Sequence, residues 1–452
     1  MMQEYIEIEN TTKDVIVDNF YTVLSVELGN TTIKSFIITT NLKTNKSYLI
    51  NKCVKLTRNI RSPLAGEEVF GKTIWQKPLS KEAIVDSIYD IICECLSGAQ
   101  LEVDDLDFVV RSTGIVAVAE LSDMMGVIIK ALSDGCLKCG ITPSQMKAPF
   151  KLDNIPQHIR RYSFFNTIEF DGSIVSVNPA YKALVSNQME SELVNAGIKL
   201  ASKNSLVDFR NPVMSIDMGT TLAGCIVDSS TPYANTLCYF IGVAGAISDI
   251  LLRGCEIINE SDSAIDVDES VYSIENYDEI GQNTQKIHEY ITVDEVPPDV
   301  SEYGGVKVDR SEYNDSSIKV IGSKIDDEKK LIETFNRCIK NYNNDEIMLQ
   351  IDDINAYLIK RIVCKCKKLN LICQDMSVGI TGRAAITGCK RQLTTDYISD
   401  IFDDIIFMQD GLALGALMMA RCMNSLGSPI NPIGGLKNGM CIMQQRVAYN
   451  KK

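Results

Sequence analysis

Histidine is almost missing from this chain, with two in 452 residues. Neither His158 nor His288 lies near a Ser or Cys nucleophile motif or a second His at helical spacing. Histidine-based hydrolase triads and histidine–zinc catalysis are therefore not expected. Long apolar runs are missing as well. The longest, Gly411 to Ala420, is about half of the ~20 residues a membrane span needs and reads as a buried helix. Met1 to Asn10 is polar and acidic, without the apolar segment of a secretory signal. These features together predict a soluble, cytoplasmic protein. Basic charge is scarce too. With 45 Lys and Arg against 59 Asp and Glu, the net charge is −14, the reverse of what nucleic-acid phosphates require.

Cysteine, by contrast, is plentiful at 15 residues. An odd count in a long chain with no secretion signal points to free thiols in a reducing compartment. Cys136-Leu137-Lys138-Cys139 is the only C-x-x-C, with Gly135 and Gly140 on either side. It offers two ligands to zinc or an iron–sulfur cluster, each of which wants about four. Cys93 and Cys95 or a second subunit would supply the rest; the alternative is chance pairing in a cysteine-rich chain.

The acidity is concentrated. Between Ser261 and Val320 there are 15 acidic and 4 basic residues, so that stretch carries −11 of the total. It lacks a sustained apolar period and contains Pro297-Pro298 and Gly304-Gly305. An acidic insertion over 258–327, mobile or lightly packed, is expected.

An internal repeat organises the remainder. Val23-Leu24-Ser25-Val26-Glu27-Leu28-Gly29-Asn30-Thr31-Thr32 has a counterpart in Val213-Met214-Ser215-Ile216-Asp217-Met218-Gly219-Thr220-Thr221-Leu222. Each reads as a strand, a carboxylate, an apolar residue, a glycine and two polar residues, after which a second strand begins. That is a hairpin with glycine in its turn. Such a turn suits a magnesium nucleotide: glycine lets the backbone approach phosphate, successive N–H groups form an anion nest, and the carboxylate holds magnesium through water. Further on, the strand Met376 to Ile380 meets a small-residue loop, Thr381 to Gly388, able to lie flat against a nucleoside. Lys34 is either a point charge for phosphate or a solvated strand lysine. Arg383 either stacks on a base or faces solvent.

This set resembles the actin, Hsp70 and sugar-kinase superfamily. Glu27 to Lys34 looks like its first phosphate loop, Asp217 to Thr221 like its second, and Val378 to Ala385 like its adenosine motif. The resemblance implies an α/β, ribonuclease H-like duplicate of two lobes with a nucleotide cleft between them. The first lobe is expected over 1–210 and the second over 211–427, with an irregular tail at 428–452. It also implies ATP and magnesium as cofactors. Glu27 and Asp217 would be the catalytic carboxylates and the metal-holding pair. Gly29, Asn30, Thr31, Thr32, Lys34, Gly219, Thr220, Thr221, Gly379, Gly382, Arg383 and Ala384 would hold the nucleotide.

Within that superfamily, Gly29-Asn30-Thr31-Thr32-Ile33-Lys34 looks most like the activator branch. Gly242 to Asp249 and Asp410-Gly411-Leu412-Ala413-Leu414-Gly415 resemble the methanogenesis marker protein 14 family. The implied task is ATP-driven activation or reactivation of a metalloenzyme or corrinoid enzyme of methanogenesis, in a cytoplasmic archaeal protein, with a partner protein and a homodimer as candidate assemblies. The iron–sulfur cysteine of activator dimers has no match at Ile241-Gly242, though Cys238 is close by. A small-molecule kinase and a non-catalytic nucleotide-binding scaffold are the competing readings.

Overall fold

The computed structural model describes residues 2–15, 20–41, 46–115, 124–146, 173–175, 184–185, 188–202, 205–207, 209–229, 236–259, 262–264, 277–309, 318–373 and 375–424. The expected tail at 428–452 and His158 lie outside them. The chain divides into two compact units. One comprises Ile8–Lys182 with Ser230–Tyr233 and Ala413–Lys452; the other comprises Met1–Glu7, Ala183–Ser229 and Ala234–Leu412.

The unit that begins at Ile8 is built on a five-stranded sheet. Its order across the sheet is Ser47–Leu56, Thr32–Asn41, Phe20–Leu28, Phe108–Thr113, Ser173–Val175. Numbered along the chain, that is 3-2-1-4-5. The first three strands are antiparallel neighbours; the last two run parallel to the first. Phe20–Leu28 is buried almost throughout, as a central strand covered on both faces must be. The helix Lys81–Ala99 packs against this sheet. Ser80 caps it by accepting the Ala83 N–H at 3.2 Å, and Gln100 ends it in the left-handed conformation. Ile84, Ile88, Ile91, Ile92 and Cys95 form its buried stripe. A second helix, Met125–Lys138, adds Ile128, Ala131, Leu132 and Cys136 to the same core.

The other unit repeats the design. Its central strands lie in the order Thr236–Gly242, Leu222–Val227, Val213–Met218, Ser377–Thr381, Asp404–Met408, again 3-2-1-4-5 along the chain. The pairing senses repeat as well, two antiparallel and then two parallel. The expected mixed α/β duplicate with ribonuclease H-like halves is therefore the fold. The core lies against the helices Ala246–Gly254, Glu328–Cys338 and Asn344–Lys368. Asn343 starts the last of these with a reciprocal capping box to Glu346.

Two boundaries differ from expectation. Met2–Ile6 does not belong with the strands that follow it; it pairs in parallel with Asp404–Met408 at the edge of the larger sheet. The helix Gln188–Ser202 also belongs to the later unit. Ser191 Oγ accepts the Gly224 N–H at 2.8 Å, and Ile198 fills the space a side chain on Gly379 would occupy. Neither partnership leaves a local mark, because both join residues far apart in sequence.

The acidic segment is a clearer correction: within its described residues it is not a lightly packed insertion. It contains the helix Tyr277–Ile287 and the strands Ile291–Glu295, Glu302–Tyr303, Val306–Asp309 and Lys319–Ile325. Lys319–Ile325 is inserted in the large sheet, parallel to Thr236–Gly242 and antiparallel to Ile291–Glu295. Ile280, Ile287, Ile291, Val306, Val320 and Ile321 are all buried. The carboxylates dominate the composition, but a few well-spaced apolar residues decide the packing.

Candidate functional site

In the unit that begins at Ile8, the first turn sits at the carboxyl end of the central strand. Glu27 lies directly opposite Lys34 on one neighbouring strand and Ser112 on the other. Gly29 N–H donates to the Thr32 carbonyl at 2.9 Å and closes the turn. A single 3-10 turn, Thr57–Asn59, braces it from the side. Thr57 donates its N–H to the Thr31 carbonyl at 2.9 Å and its hydroxyl to the Gly29 carbonyl at 3.4 Å.

Glu27, Asn30 and Thr32 are buried here, while Thr31 and Lys34 are half-buried. Asn30 Oδ1 and Ser112 Oγ are buried polar atoms without a hydrogen-bond partner. Orphans of this kind are uncommon, and at strand ends they mark places where a ligand or water completes the set. Thr57 gives no signal in the sequence. It reaches the turn because the strand Ser47–Leu56 returns along Thr32–Asn41 and places Leu56 opposite Thr32.

The second turn sits at the same position in the other unit. Gly219 N–H donates to the Thr221 carbonyl at 3.1 Å. The Gly242–Ala246 segment then folds over the turn. Gly245 N–H donates to the Gly219 carbonyl at 2.8 Å, and the Ala244 and Ala246 N–H groups donate to the Thr220 carbonyl at 3.1 and 3.2 Å. The start of the Ala246–Gly254 helix thus fixes the turn rather than pointing those N–H groups outward.

Asp217 pairs in register with Thr381 on the adjacent parallel strand. Gly382 follows Thr381 at φ +92°, and a Cβ there would stand 2.3 Å from Asp217 Oδ1 and 2.4 Å from the Met218 carbonyl. Only glycine suits that place. Ala384 closes the group, its Cβ 3.0 Å from the position a Gly245 side chain would take. Asp217, Gly219, Thr220, Thr221, Gly382 and Ala384 are thus brought together at adjacent strand ends.

Two other expected residues lie differently. Gly379 sits within the strand Ser377–Thr381, beneath Ile198 and Phe209, where a Cβ would come within 2.6 Å of Ile198. It is a packing glycine for the Gln188–Ser202 helix. Arg383 opens the short helix Arg383–Ile386 and is exposed.

The C-x-x-C cysteines split between two environments. Cys136 is fully buried in the core, where loss of solvent pushes its thiol up to about 12. Cys139 follows the end of the helix, half-buried. Among the described residues no group of three or more His, Cys, Asp or Glu side chains could hold a metal ion. Nor, among them, is any helix long and apolar enough to cross a membrane.

An uncharacterised protein of Methanocaldococcus jannaschii is 42% identical over 445 residues, spanning 96% of this chain and 92% of its own length. Another, from Methanothermobacter thermautotrophicus, is 41% identical over 438 residues, spanning 95% and 83%. Among solved structures, the activator of 2-hydroxyisocaproyl-CoA dehydratase from Clostridium difficile with bound ADPNP aligns at 11% identity and a TM-score of 0.38, covering 88% of this chain and 94% of that one. A model of proteins conserved in archaea and uncharacterised in function matches residues 20–450. With that match and these identities, the chain belongs to the archaeal family DUF2114.

Proposed function

We propose that this protein binds Mg-ATP and uses it to activate or reactivate a partner metalloenzyme or corrinoid enzyme linked to methanogenesis, as the methanogenesis marker protein 14 resemblance implies. The observation that carries the reading is the duplicated turn. Both units place a carboxylate two residues before a glycine at the carboxyl end of strand 1 of a 3-2-1-4-5 sheet. Bound magnesium would neutralise phosphate charge, and the carboxylate of each turn, Glu27 in one unit and Asp217 in the other, is of the kind that holds it through water.

The chain's own contribution is positional. Gly219 leaves its turn open, since a Cβ there would meet nothing closer than the Thr221 carbonyl at 3.9 Å, so a phosphate can come close to the backbone. Gly382 keeps Asp217 seated, and the Gly382–Ala384 loop offers small side chains to a nucleoside. Asn30 Oδ1 and Ser112 Oγ supply buried hydrogen-bonding atoms beside Glu27. The methanogenesis link is supported by relatives in two methanogenic archaea.

Titration calorimetry with Mg-ATP tests the binding. Wild type should bind, while Asp217→Ala and Gly219→Val should each lose about tenfold or more in affinity (~1.4 kcal/mol) with unchanged circular dichroism. Wild-type affinity in both variants would refute the site. Phosphate release without added metabolite fits the activator, release that requires an acceptor fits a kinase, and no release fits a scaffold.

A further inference from the structure

A feature separate from the turns lies where two helices cross. Lys81–Ala99 and Met125–Lys138 approach closely because Gly135 has no side chain: a Cβ there would stand 2.6 Å from Ile88 and 3.2 Å from the Val85 carbonyl. Two ion pairs set the alignment, Lys81 with Asp134 and Lys138 with Asp86, the latter at 2.7 Å. About one turn beyond the crossing, Cys93 on the first helix meets Cys139 at the end of the second. Their sulfurs are 3.9 Å apart, and both residues are half-buried, within reach of solvent.

Sulfurs at 3.9 Å are in contact, and a disulfide requires them to close to ~2.05 Å. We propose that Cys93 and Cys139 form a reversible dithiol–disulfide pair that exchanges with small-molecule disulfides and ties the two helices together when oxidised.

The chemistry balances without a metal. Cys93 loses its proton to solvent, and its thiolate attacks one sulfur of a disulfide RS–SR, giving Cys93–S–S–R and releasing RS⁻. Cys139 then loses its proton and attacks the Cys93 sulfur, forming the Cys93–Cys139 bond and releasing a second RS⁻. The two protons are taken up by the two RS⁻. The pair gives up two electrons, and one RS–SR becomes two RSH. Burial and the neighbouring Cys93 raise the Cys139 thiol well above its usual range, which makes it the poorer first nucleophile; it acts second because the Cys93 sulfur is already beside it. Cys136, three residues earlier, is buried in the core and is not needed.

The test uses the full-length reduced protein, incubated with oxidised glutathione, alkylated and digested for mass spectrometry. The expected result is the loss of two alkylatable thiols, a cross-linked peptide joining Cys93 to Cys139, and its disappearance with dithiothreitol. In Cys93→Ser the cross-link should be absent and Cys139 should remain alkylatable; in Cys139→Ser, Cys93 should stop at the glutathione mixed disulfide. Folding of both variants is checked by circular dichroism. Cys53 and Cys95 provide an internal comparison, since they also interact while Cys95 is buried. A cross-link between that pair instead, separate glutathionylation of Cys93 and Cys139, or no reaction in folded wild type would each overturn the proposal.

Discussion

Gly382 and Gly219 are both glycines beside Asp217, yet substitution should separate them. Gly382 has φ +92° and no room for a Cβ; alanine there takes on backbone strain of ~1–3 kcal/mol and displaces the Asp217 carboxylate. Gly382→Ala should therefore lower the midpoint of urea unfolding even without nucleotide. Gly219→Ala makes only an ordinary van der Waals contact, with the Thr221 carbonyl at 3.9 Å, so its stability without ligand should stay within ~0.5 kcal/mol of wild type, with the loss seen only in the extra stability conferred by Mg-ATP.

His288 supports a prediction about pH. It is buried; its Nε2–H donates to the Ile354 carbonyl at 2.9 Å, its Nδ1 accepts from Arg361 at 3.3 Å, and its ring meets Tyr357 edge-on. Burial, with Arg361 adding to it, lowers its pKa from 6.5 to about 3. The folded state thus keeps His288 neutral while the unfolded chain takes up a proton below pH ~6.5. The stability it contributes is complete above that pH and is lost as pH falls toward 3, by roughly 2 kcal/mol between pH 7.5 and 5. His288→Gln can keep both hydrogen bonds without titrating. Urea midpoints at those two pH values should fall less in the variant; equal falls would remove His288 from the acid response.

At the scale of elements, the acidic segment shows where sequence reading stops. The hairpins were legible because strand, glycine turn and strand are contiguous. Lys319–Ile325 was not, since its place between Thr236–Gly242 and Ile291–Glu295 depends on partners far along the chain. Net charge hid it further: Val320, Ile321 and Ser323 are buried, but they are few among many carboxylates. Deleting 261–320 with a short Gly/Ser bridge would remove Ile291–Glu295 and the first residues of Lys319–Ile325, uncovering the edge of Thr236–Gly242. An uncovered strand edge invites association between chains. The deletion should yield aggregated protein or lose its cooperative unfolding transition in circular dichroism. A soluble variant with wild-type unfolding would mean that the large sheet does not need these strands. The site was legible in the same partial way. Asp217, Gly219 and Gly382 stood out by residue type, while Thr57 and Gly245, which brace the two turns, act by donating to backbone carbonyls, which no sequence pattern announces.

For the whole molecule, the question is how nucleotide could act on a partner. A ligand shifts an equilibrium only as far as its affinity differs between the states in question. If the protein has an activating state, ATP and the partner must both prefer it, and linkage makes the preference mutual. The factor by which Mg-ATP tightens partner binding must equal the factor by which the partner tightens Mg-ATP. This can be measured before the partner's chemistry is understood. A protein captured from extract of a methanogen, with its identity established, is titrated with and without Mg-ATP, and Mg-ATP is titrated with and without that protein. Couplings of this kind usually amount to 5–150-fold, and the two values should agree within error. Asp217→Ala should reduce both together, since it acts through the nucleotide. If the partner binds equally well with and without Mg-ATP while wild type still binds nucleotide, the coupling factor is one. The protein would then organise an assembly without driving it, and the scaffold reading would replace the activator.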